Sequence, residues 1–90
     1  MLENLEQLIK IIRDRKDSSS GDSYTKKLLN DKKLSVEKVK EEVTELIESV
    51  DHNSNKIHEA ADVIYHLMVY LEANNIKIED VMSELKKRQR

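Results

Sequence analysis

Proline, cysteine, phenylalanine and tryptophan are absent from the 90-residue chain, and glycine occurs once, at Gly21. The lack of cysteine excludes disulfides and thiolate metal sites. The scarcity of proline and glycine leaves few residues for tight turns, which argues against a β-rich fold and favours helices. We therefore expect an all-α protein of four to five helices.

A strong charge imbalance and a long apolar run are also missing. The formal net charge is −2 at pH 7, so bulk charge does not indicate binding to a nucleic-acid polymer. The most apolar segment, residues 60–71, is too short to span a bilayer. The N-terminal MLENLEQLIK lacks the uncharged apolar run of a signal peptide. These features predict a cytoplasmic protein that binds neither nucleic acid nor membrane.

The length of the chain predicts one domain, residues 1–90. Its small aliphatic core is thin for independent stability, because a short chain buries a smaller fraction of its surface than a long one. We therefore expect an antiparallel helical bundle that is completed by dimerisation.

Hydrophobic spacing predicts the helices and their ends. Five helices are expected, over about residues 2–16, 24–30, 35–51, 55–74 and 78–87. The serine-rich DSSSGDS at 17–23 predicts a loop, and residues 31–34 predict a charged connector. Ser35 is the expected N-cap of the third helix, and Asn53 or Ser54 is expected to cap the fourth.

The third and fourth helices carry most of the apolar residues. A seam on the third helix consists of Val36, Val39, Val43, Leu46 and Val50, with Ile47 beside it. The main apolar face of the fourth helix consists of Ile57, Ala60, Ala61, Ile64, Leu67, Met68 and Leu71. Further apolar residues lie on its other side, and only Glu59, Asp62 and His66 interrupt them, on one strip. Because such a helix packs on several sides, we expect this strip to face protein or a cleft.

Acidic residues recur at helical spacing on both of these helices. Glu41, Glu42 and Glu45 are neighbours on the surface of the third helix. An antiparallel hairpin would place Glu42 and Glu45 opposite Glu59 and Asp62. Four facing carboxylates cannot all stay ionised in a half-buried cleft without a cation. The pattern therefore predicts a site for a hard divalent cation such as Mg²⁺, which usually shares its coordination with substrate phosphates.

Each of these features also has a simpler interpretation. The glutamates of the third helix are typical of a solvated helix face. His66 could be an ordinary interior histidine, and SYTKKLL could be a capped amphipathic helix that begins at Ser23. Asp62 is harder to explain in this way, because an acid within an apolar helix is rarely buried without a partner.

Three segments resemble a known enzyme family. The EE-x-x-E of residues 41–45, followed by E-x-x-D at 59–62, resembles the signature of the MazG-like, all-α nucleoside triphosphate pyrophosphohydrolases. SYTKKLL at 23–29 resembles the SYTAKLL segment of the phosphoribosyl-ATP pyrophosphohydrolase family within that group. EAADVIYHL at 59–67 resembles that family's EAADLLYHL. Together the three segments and the leading helix extend the resemblance over nearly the whole chain.

The resemblance implies a reaction and a metal. Family members hydrolyse phosphoribosyl-ATP to phosphoribosyl-AMP and pyrophosphate, the second step of histidine biosynthesis, with Mg²⁺ and as dimers. By this resemblance Glu42, Glu45, Glu59 and Asp62 would bind Mg²⁺. Glu41 and Glu45 would serve catalysis, Glu41 as a further ligand or by positioning the attacking water.

The resemblance also implies a substrate-phosphate site. Its expected residues are Ser23, Tyr24, Thr25 and Lys27, with Lys38 as a supporting cation. His66 is expected to pack or to support a metal ligand through a hydrogen bond. A departure from the family pattern is Lys40, which stands where members commonly have glycine before the paired glutamates.

Two alternatives stay open at this point. A MazG-like hydrolase that removes ordinary or non-standard nucleoside triphosphates would keep the acidic motif without requiring SYTKKLL. A helical dimerisation module without chemistry would tolerate amide substitutions at Glu42, Glu45, Glu59 and Asp62. The sequence leaves open the number of metal ions and the identity of the general base. The large substrate favours a site shared between two subunits.

Overall fold

A computed structural model of the chain describes residues 1–18 and 23–89. This part of the chain contains five helices and no strand. The helices are α1 (Glu3–Asp17), α2 (Tyr24–Asn30), α3 (Lys32–His52), α4 (Lys56–Ala73) and α5 (Ile78–Arg88). The predicted all-α class is confirmed. The loop predicted at 17–23 lies largely on residues 19–22, outside the described residues.

The longest helices, α3 and α4, form an antiparallel hairpin and share the most extensive contact in the fold. The short α2 packs against both of them, and α1 packs against α4 and α2. The buried core lies where α1, α2 and α4 meet, and consists of Ile12, Leu28, Leu29, Val69 and Ala73. None of the described helices is long and apolar enough to cross a membrane.

The start of α3 differs from the prediction. Asp31, not Ser35, is the N-cap: its Oδ1 accepts a hydrogen bond from the Leu34 N–H at 3.0 Å. The predicted connector 31–34 is therefore mostly helical, and Ser35 is buried within the first turns of α3. Aspartate and serine are both favourable N-cap residues, so the sequence alone could not show which of the two precedes the first turn of α3. Starting the helix at Lys32 leaves Asp31 as the single residue between α2 and α3.

Three asparagines in the left-handed conformation form the turns at the ends of α4. Asn53 ends α3 with a φ of 52°, and Asn55 precedes α4 with a φ of 53°. No side chain caps the start of α4, so the predicted cap by Asn53 or Ser54 was wrong. After α4, Asn75 also has a positive φ, of 58°.

The side of α4 that faces the core is not the main apolar face that the sequence predicted, but the opposite side. Val69 is fully buried, whereas Ile57 of the predicted main face is 88% exposed. Of the seam on α3, Ile47 and Val50 are 58% and 57% exposed. Because α4 is apolar nearly all round, its sequence pattern alone could not determine which side packs against α1 and α2. Two apolar stripes on α3 and α4 consequently remain exposed in one copy of the chain.

Candidate metal and substrate site

Acidic side chains from α3 and α4 meet across the helical hairpin. Glu42 is only 8% exposed, and Glu45, Glu59 and Asp62 are partly buried. Glu45 contacts the carboxyls of both Glu42 and Glu59, so it joins the acids of the two helices. We refer to the group Glu41, Glu42, Glu45, Glu59 and Asp62 as the acidic cluster. The structure thus brings together the residues that the sequence predicted as metal ligands.

The surroundings of Glu42 and Glu59 disfavour the ionised forms of these two carboxyl groups. Burial raises the pKa of Glu42, and contact with the Glu45 carboxyl raises it further, while the neighbouring His66 opposes the change. Burial and the Glu45 carboxyl also raise the pKa of Glu59. Carboxylates that are desolvated and adjacent retain their protons more strongly than isolated ones. At neutral pH, ionisation of the cluster therefore costs free energy unless a cation compensates it.

Two oxygens of the acidic cluster are buried without a partner. Within residues 1–18 and 23–89, no hydrogen bond reaches Glu42 Oε2 or Glu59 Oε2. An ionised carboxylate can only accept hydrogen bonds, so the adjacent Glu45 carboxylate cannot satisfy either oxygen without a proton. Buried polar atoms are rarely left unsatisfied in native proteins. Carboxylate oxygens that converge and lack hydrogen-bond donors are the ligands that Mg²⁺ prefers.

Each helix supplies three side chains whose ligand atoms lie within 4.8 Å of one another. One group is Glu41, Glu42 and Glu45, and the other is His58, Glu59 and Asp62. The His58 Nε2 lies 3.3 Å from Asp62 Oδ2. Sequence reasoning missed His58, although its spacing of four residues from Asp62 was a usable signal. A pocket of about 220 Å³ extends beside Glu45 and Glu59 toward the α3–α4 connector.

The residues predicted to bind phosphate lie on α2 and the start of α3. Ser23 caps α2, since its Oγ accepts from the Lys26 N–H at 3.0 Å. The Thr25 hydroxyl is hydrogen-bonded to the Tyr65 hydroxyl. Lys27 is exposed, and its ammonium has no ion-pair partner among the described residues. Lys38 Nζ donates to Glu41 Oε2 at 3.3 Å, which raises the pKa of Lys38.

Tyr24 and His66 connect α2 to α4. The Tyr24 hydroxyl lies 3.0 Å from His66 Nε2, and His66 Nδ1 lies 2.9 Å from the Asp62 carbonyl oxygen. Burial raises the pKa of the Tyr24 phenol, while the nearby Lys38 acts in the opposite direction. Tyr24 is therefore close to both Lys38 and His66, and it lies where the predicted phosphate site adjoins the acidic cluster.

Comparison with known proteins identifies the family of this chain. The family model described as phosphoribosyl-ATP pyrophosphohydrolase matches residues 5–89. A phosphoribosyl-ATP pyrophosphatase of Clostridium acetobutylicum is 44% identical, over 96% of this chain and 81% of the relative. One of Haloarcula marismortui is 39% identical, over 93% of this chain and 91% of the relative.

A third relative is longer. The histidine biosynthesis bifunctional protein hisIE of Arabidopsis thaliana, described as chloroplastic, is 39% identical over 97% of this chain, which corresponds to 34% of that protein. The match therefore covers most of the two shorter relatives and about a third of the bifunctional protein. The chain belongs to the phosphoribosyl-ATP pyrophosphohydrolase family, and it is a hydrolase.

Proposed function

We propose that this protein hydrolyses phosphoribosyl-ATP to phosphoribosyl-AMP and pyrophosphate in a Mg²⁺-dependent reaction, the second step of histidine biosynthesis. The family match supports the substrate and the reaction. The observation that carries the metal dependence is the buried Glu42, whose Oε2 lacks a partner among the described residues while Glu45 adjoins it. This arrangement is unfavourable without a cation and favourable with one.

The acidic cluster would hold the metal. We assign Glu42, Glu45, Glu59 and Asp62 as Mg²⁺ ligands, since their oxygens converge from two helices. When bound, Mg²⁺ neutralises charge that develops on the leaving pyrophosphate and polarises the attacking water. Glu45 lies between the two helices' acids and contacts both Glu42 and Glu59. Its removal should therefore disrupt the site more than the removal of any exposed acid.

Other residues would orient the substrate and the water. Glu41 is the half-exposed member of the cluster, and its carboxylate can accept a hydrogen bond from a water or complete the ligand set. We assign Lys27 and Lys38 to the substrate phosphates, with the hydroxyls of Ser23 and Thr25 as hydrogen-bonding groups. Phosphoryl transfer depends mainly on such positioning and on electrostatic stabilisation. Lys38 would have to exchange its contact with Glu41 for a phosphate oxygen.

Pyrophosphate release tests this proposal directly. The protein is incubated with phosphoribosyl-ATP or with each common nucleoside triphosphate, with Mg²⁺ or with a chelator. We expect Mg²⁺-dependent release from phosphoribosyl-ATP alone, abolished in folded Glu45→Gln and Asp62→Asn variants. Release from the common triphosphates instead would assign the protein to the MazG-like house-cleaning hydrolases. No release from any substrate would refute the enzymatic proposal and favour a helical scaffold.

We further propose that two copies of the chain associate through the exposed apolar stripes. On α3 the stripe comprises Val43, Ile47 and Val50, which recur at helical spacing on one face. On α4 it comprises Ile57, Ile64 and Leu67, which are 88%, 45% and 37% exposed. Contiguous apolar surface of this kind is typical of an interface. A dimer formed in this way could also supply residues from both copies to a substrate as large as phosphoribosyl-ATP.

The association state tests this second proposal. Sedimentation equilibrium should show a dimer for the native protein and a monomer for an Ile47→Glu, Ile57→Glu double variant. The matched control is Met82→Glu, Leu85→Glu on α5, where both residues are 49% exposed but lie outside the stripes. A native monomer at micromolar concentration would contradict the proposal, and so would dissociation by the α5 control alone.

A further inference from the structure

A hydrogen bond between Tyr24 and His66 joins α2, which carries the proposed phosphate-binding residues, to α4, which carries proposed metal ligands. The Tyr24 hydroxyl lies 3.0 Å from His66 Nε2, although the two residues are 42 positions apart. His66 is 7% exposed, and its ring makes T-shaped contacts with the rings of both Tyr24 and Tyr65. A buried imidazole with a partner on each nitrogen is fixed in position rather than free to rotate.

The two partners of His66 determine the direction of its hydrogen bonds. His66 Nδ1 lies 2.9 Å from the main-chain carbonyl of Asp62, and a carbonyl oxygen can only accept. In the neutral imidazole the hydrogen therefore lies on Nδ1, and Nε2 is an acceptor. The Tyr24 hydroxyl must then donate to Nε2. Its single hydrogen is used in this bond, so it cannot also donate to a phosphate oxygen.

We propose that Tyr24 is a positioning residue that acts through His66 on Asp62, and not a ligand of the substrate phosphates. Tyr24 holds the Nε2 side of the His66 ring, and His66 Nδ1 holds the carbonyl of Asp62, one turn earlier on α4. The helical turn that presents the Asp62 carboxylate is thereby tied to α2. This role deepens the proposed function, on which it rests, and it departs from the assignment that the sequence resemblance implies for Tyr24.

A second contact supports the same connection. The Tyr24 and Tyr65 rings are stacked, with centroids 6.4 Å apart and planes 17° apart. The Thr25 hydroxyl is hydrogen-bonded to that of Tyr65. Thus two consecutive residues of α2 bind two consecutive residues of α4. A Tyr24→Phe variant should keep the ring stacking and lose only the hydrogen bond to His66, which makes it a clean test.

A double-mutant cycle on pyrophosphate release separates a positioning role from phosphate binding. We expect Tyr24→Phe to lower kcat about tenfold and to change KM less than twofold, because the interaction lies outside the substrate contacts. His66→Asn can keep the bond to the Asp62 carbonyl but not the one from Tyr24. Since the two residues share one bond, the double variant should lose no more than the larger single loss.

The matched control is Tyr70→Phe, which should leave both constants unchanged. The Tyr70 hydroxyl forms no hydrogen bond with residues 1–18 or 23–89. If Tyr24→Phe raises KM while kcat is retained, Tyr24 binds phosphate and our proposal is wrong. Losses that multiply in the double variant would also overturn it, because they indicate independent roles.

Nuclear magnetic resonance of the ring nitrogens detects the contact between Tyr24 and His66 in protein without substrate or metal. At a pH high enough for the imidazole to be neutral, we expect the ¹⁵N shifts of His66 in the native protein to report a hydrogen on Nδ1. In Tyr24→Phe the Nε2 shift should move, because that nitrogen loses its hydrogen-bond partner. An unchanged His66 signal in the variant would overturn the proposal. A native protein that shows the expected tautomer but releases no pyrophosphate would refute the proposed reaction, and with it a positioning role in that reaction.

Discussion

Two clusters of polar residues in this protein place glutamates in opposite electrostatic surroundings. In the acidic cluster, burial and mutual contact raise the pKa of Glu42 and Glu59. The other cluster, which we call the α1 clamp, consists of Arg13, Lys16, Glu72, Asn75 and Glu79. There, two hydrogen bonds from Arg13 lower the pKa of Glu79 to about 2.

The difference lies in the partners of the carboxylates. In the α1 clamp, Arg13 binds both oxygens of Glu79 at 2.8 and 2.6 Å and also contacts Glu72 Oε2 at 3.3 Å. Lys16 Nζ donates to the Glu72 carbonyl and to Asn75 Oδ1, both at 2.8 Å. The acidic cluster instead leaves two buried oxygens without a donor among the described residues. A satisfied cluster stabilises the fold, whereas an unsatisfied one indicates a site for a ligand.

The largest expected effect is the loss of activity on neutralising the centre of the acidic cluster. Glu45→Gln should lower kcat/KM about a hundredfold or more, since it removes a proposed metal ligand whose carboxyl contacts acids of both helices. Glu48→Gln, one turn further along α3, should change kcat/KM less than about threefold. Pyrophosphate release at saturating Mg²⁺ measures both. Equal losses in the two variants would show that activity depends on the overall negative charge of α3 and not on the acidic cluster.

The second prediction concerns added metal. At a Mg²⁺ concentration of about a hundred times Kd, the free energy of unfolding should rise by about 2.7 kcal/mol, because only the folded chain assembles the ligands. Urea denaturation with and without Mg²⁺ measures this rise. It should be absent in Glu42→Gln and retained in Glu72→Gln, a matched substitution in the α1 clamp. A rise that survives Glu42→Gln would place the metal elsewhere.

The third prediction concerns the α1 clamp, where a substitution should lower stability and leave activity nearly unchanged. Glu72→Gln should destabilise the protein by about 1–2 kcal/mol, because it weakens charge-assisted contacts with Arg13 and Lys16. The remaining folded enzyme should keep a kcat within about twofold of the native value. Urea denaturation and steady-state kinetics on the same preparation give both quantities. A large fall in kcat without loss of stability would contradict a purely structural role for the clamp.

The smallest expected effects concern the pH dependence of stability. This dependence should have opposite directions for Glu79 and for the pair Glu42 and Glu59. Glu79 has a lowered pKa, so its stabilising contribution is present above the ordinary value of 4.5 and is lost as pH falls toward 2. Glu42 and Glu59 have raised pKa values, so their contribution is present below 4.5 and is lost as pH rises through the folded-state values. Metal-free protein should show both trends.

Single substitutions show which residues cause each of these two pH trends. Glu79→Gln should flatten the acid side of the pH–stability profile, and Glu45→Gln should flatten the side above pH 4.5. Because Glu79 is well exposed, salt should weaken its trend more than that of the buried Glu42. Denaturation midpoints at low and high ionic strength provide this comparison. A profile with the same slope in the native protein and in Glu45→Gln would show that the acids of the cluster do not repel one another.

Much of the site was predictable because helical spacing converts sequence into geometry. Residues three and four apart share a helix face, so Glu42 with Glu45 and Glu59 with Asp62 were expected as pairs. The short connector required an antiparallel hairpin, and the structure confirms that arrangement. Glu45 accordingly contacts Glu59. Local spacing and one short turn were sufficient to bring these acids together.

Other features depend on packing between distant segments, and their local sequence did not determine them. Helix α4 is apolar on nearly all sides. The packing of α1 and α2 against it buries Val69 and leaves Ile57 exposed. Similarly, the bond between Tyr24 and His66 depends on how α2 lies against α4. Sequence reasoning placed both residues at the site but could not determine which group the Tyr24 hydroxyl binds.

Crystals grown with Mn²⁺ in place of Mg²⁺ would test the central claim most directly, because anomalous scattering locates the ion itself. We expect a peak at bonding distance from oxygens of Glu42, Glu45 and Glu59, and no peak at Glu72 or Glu79. The same peak should vanish in Glu45→Gln crystals. A native crystal with an ordered acidic cluster and no ion bound to it would contradict our account of why these acids are buried together.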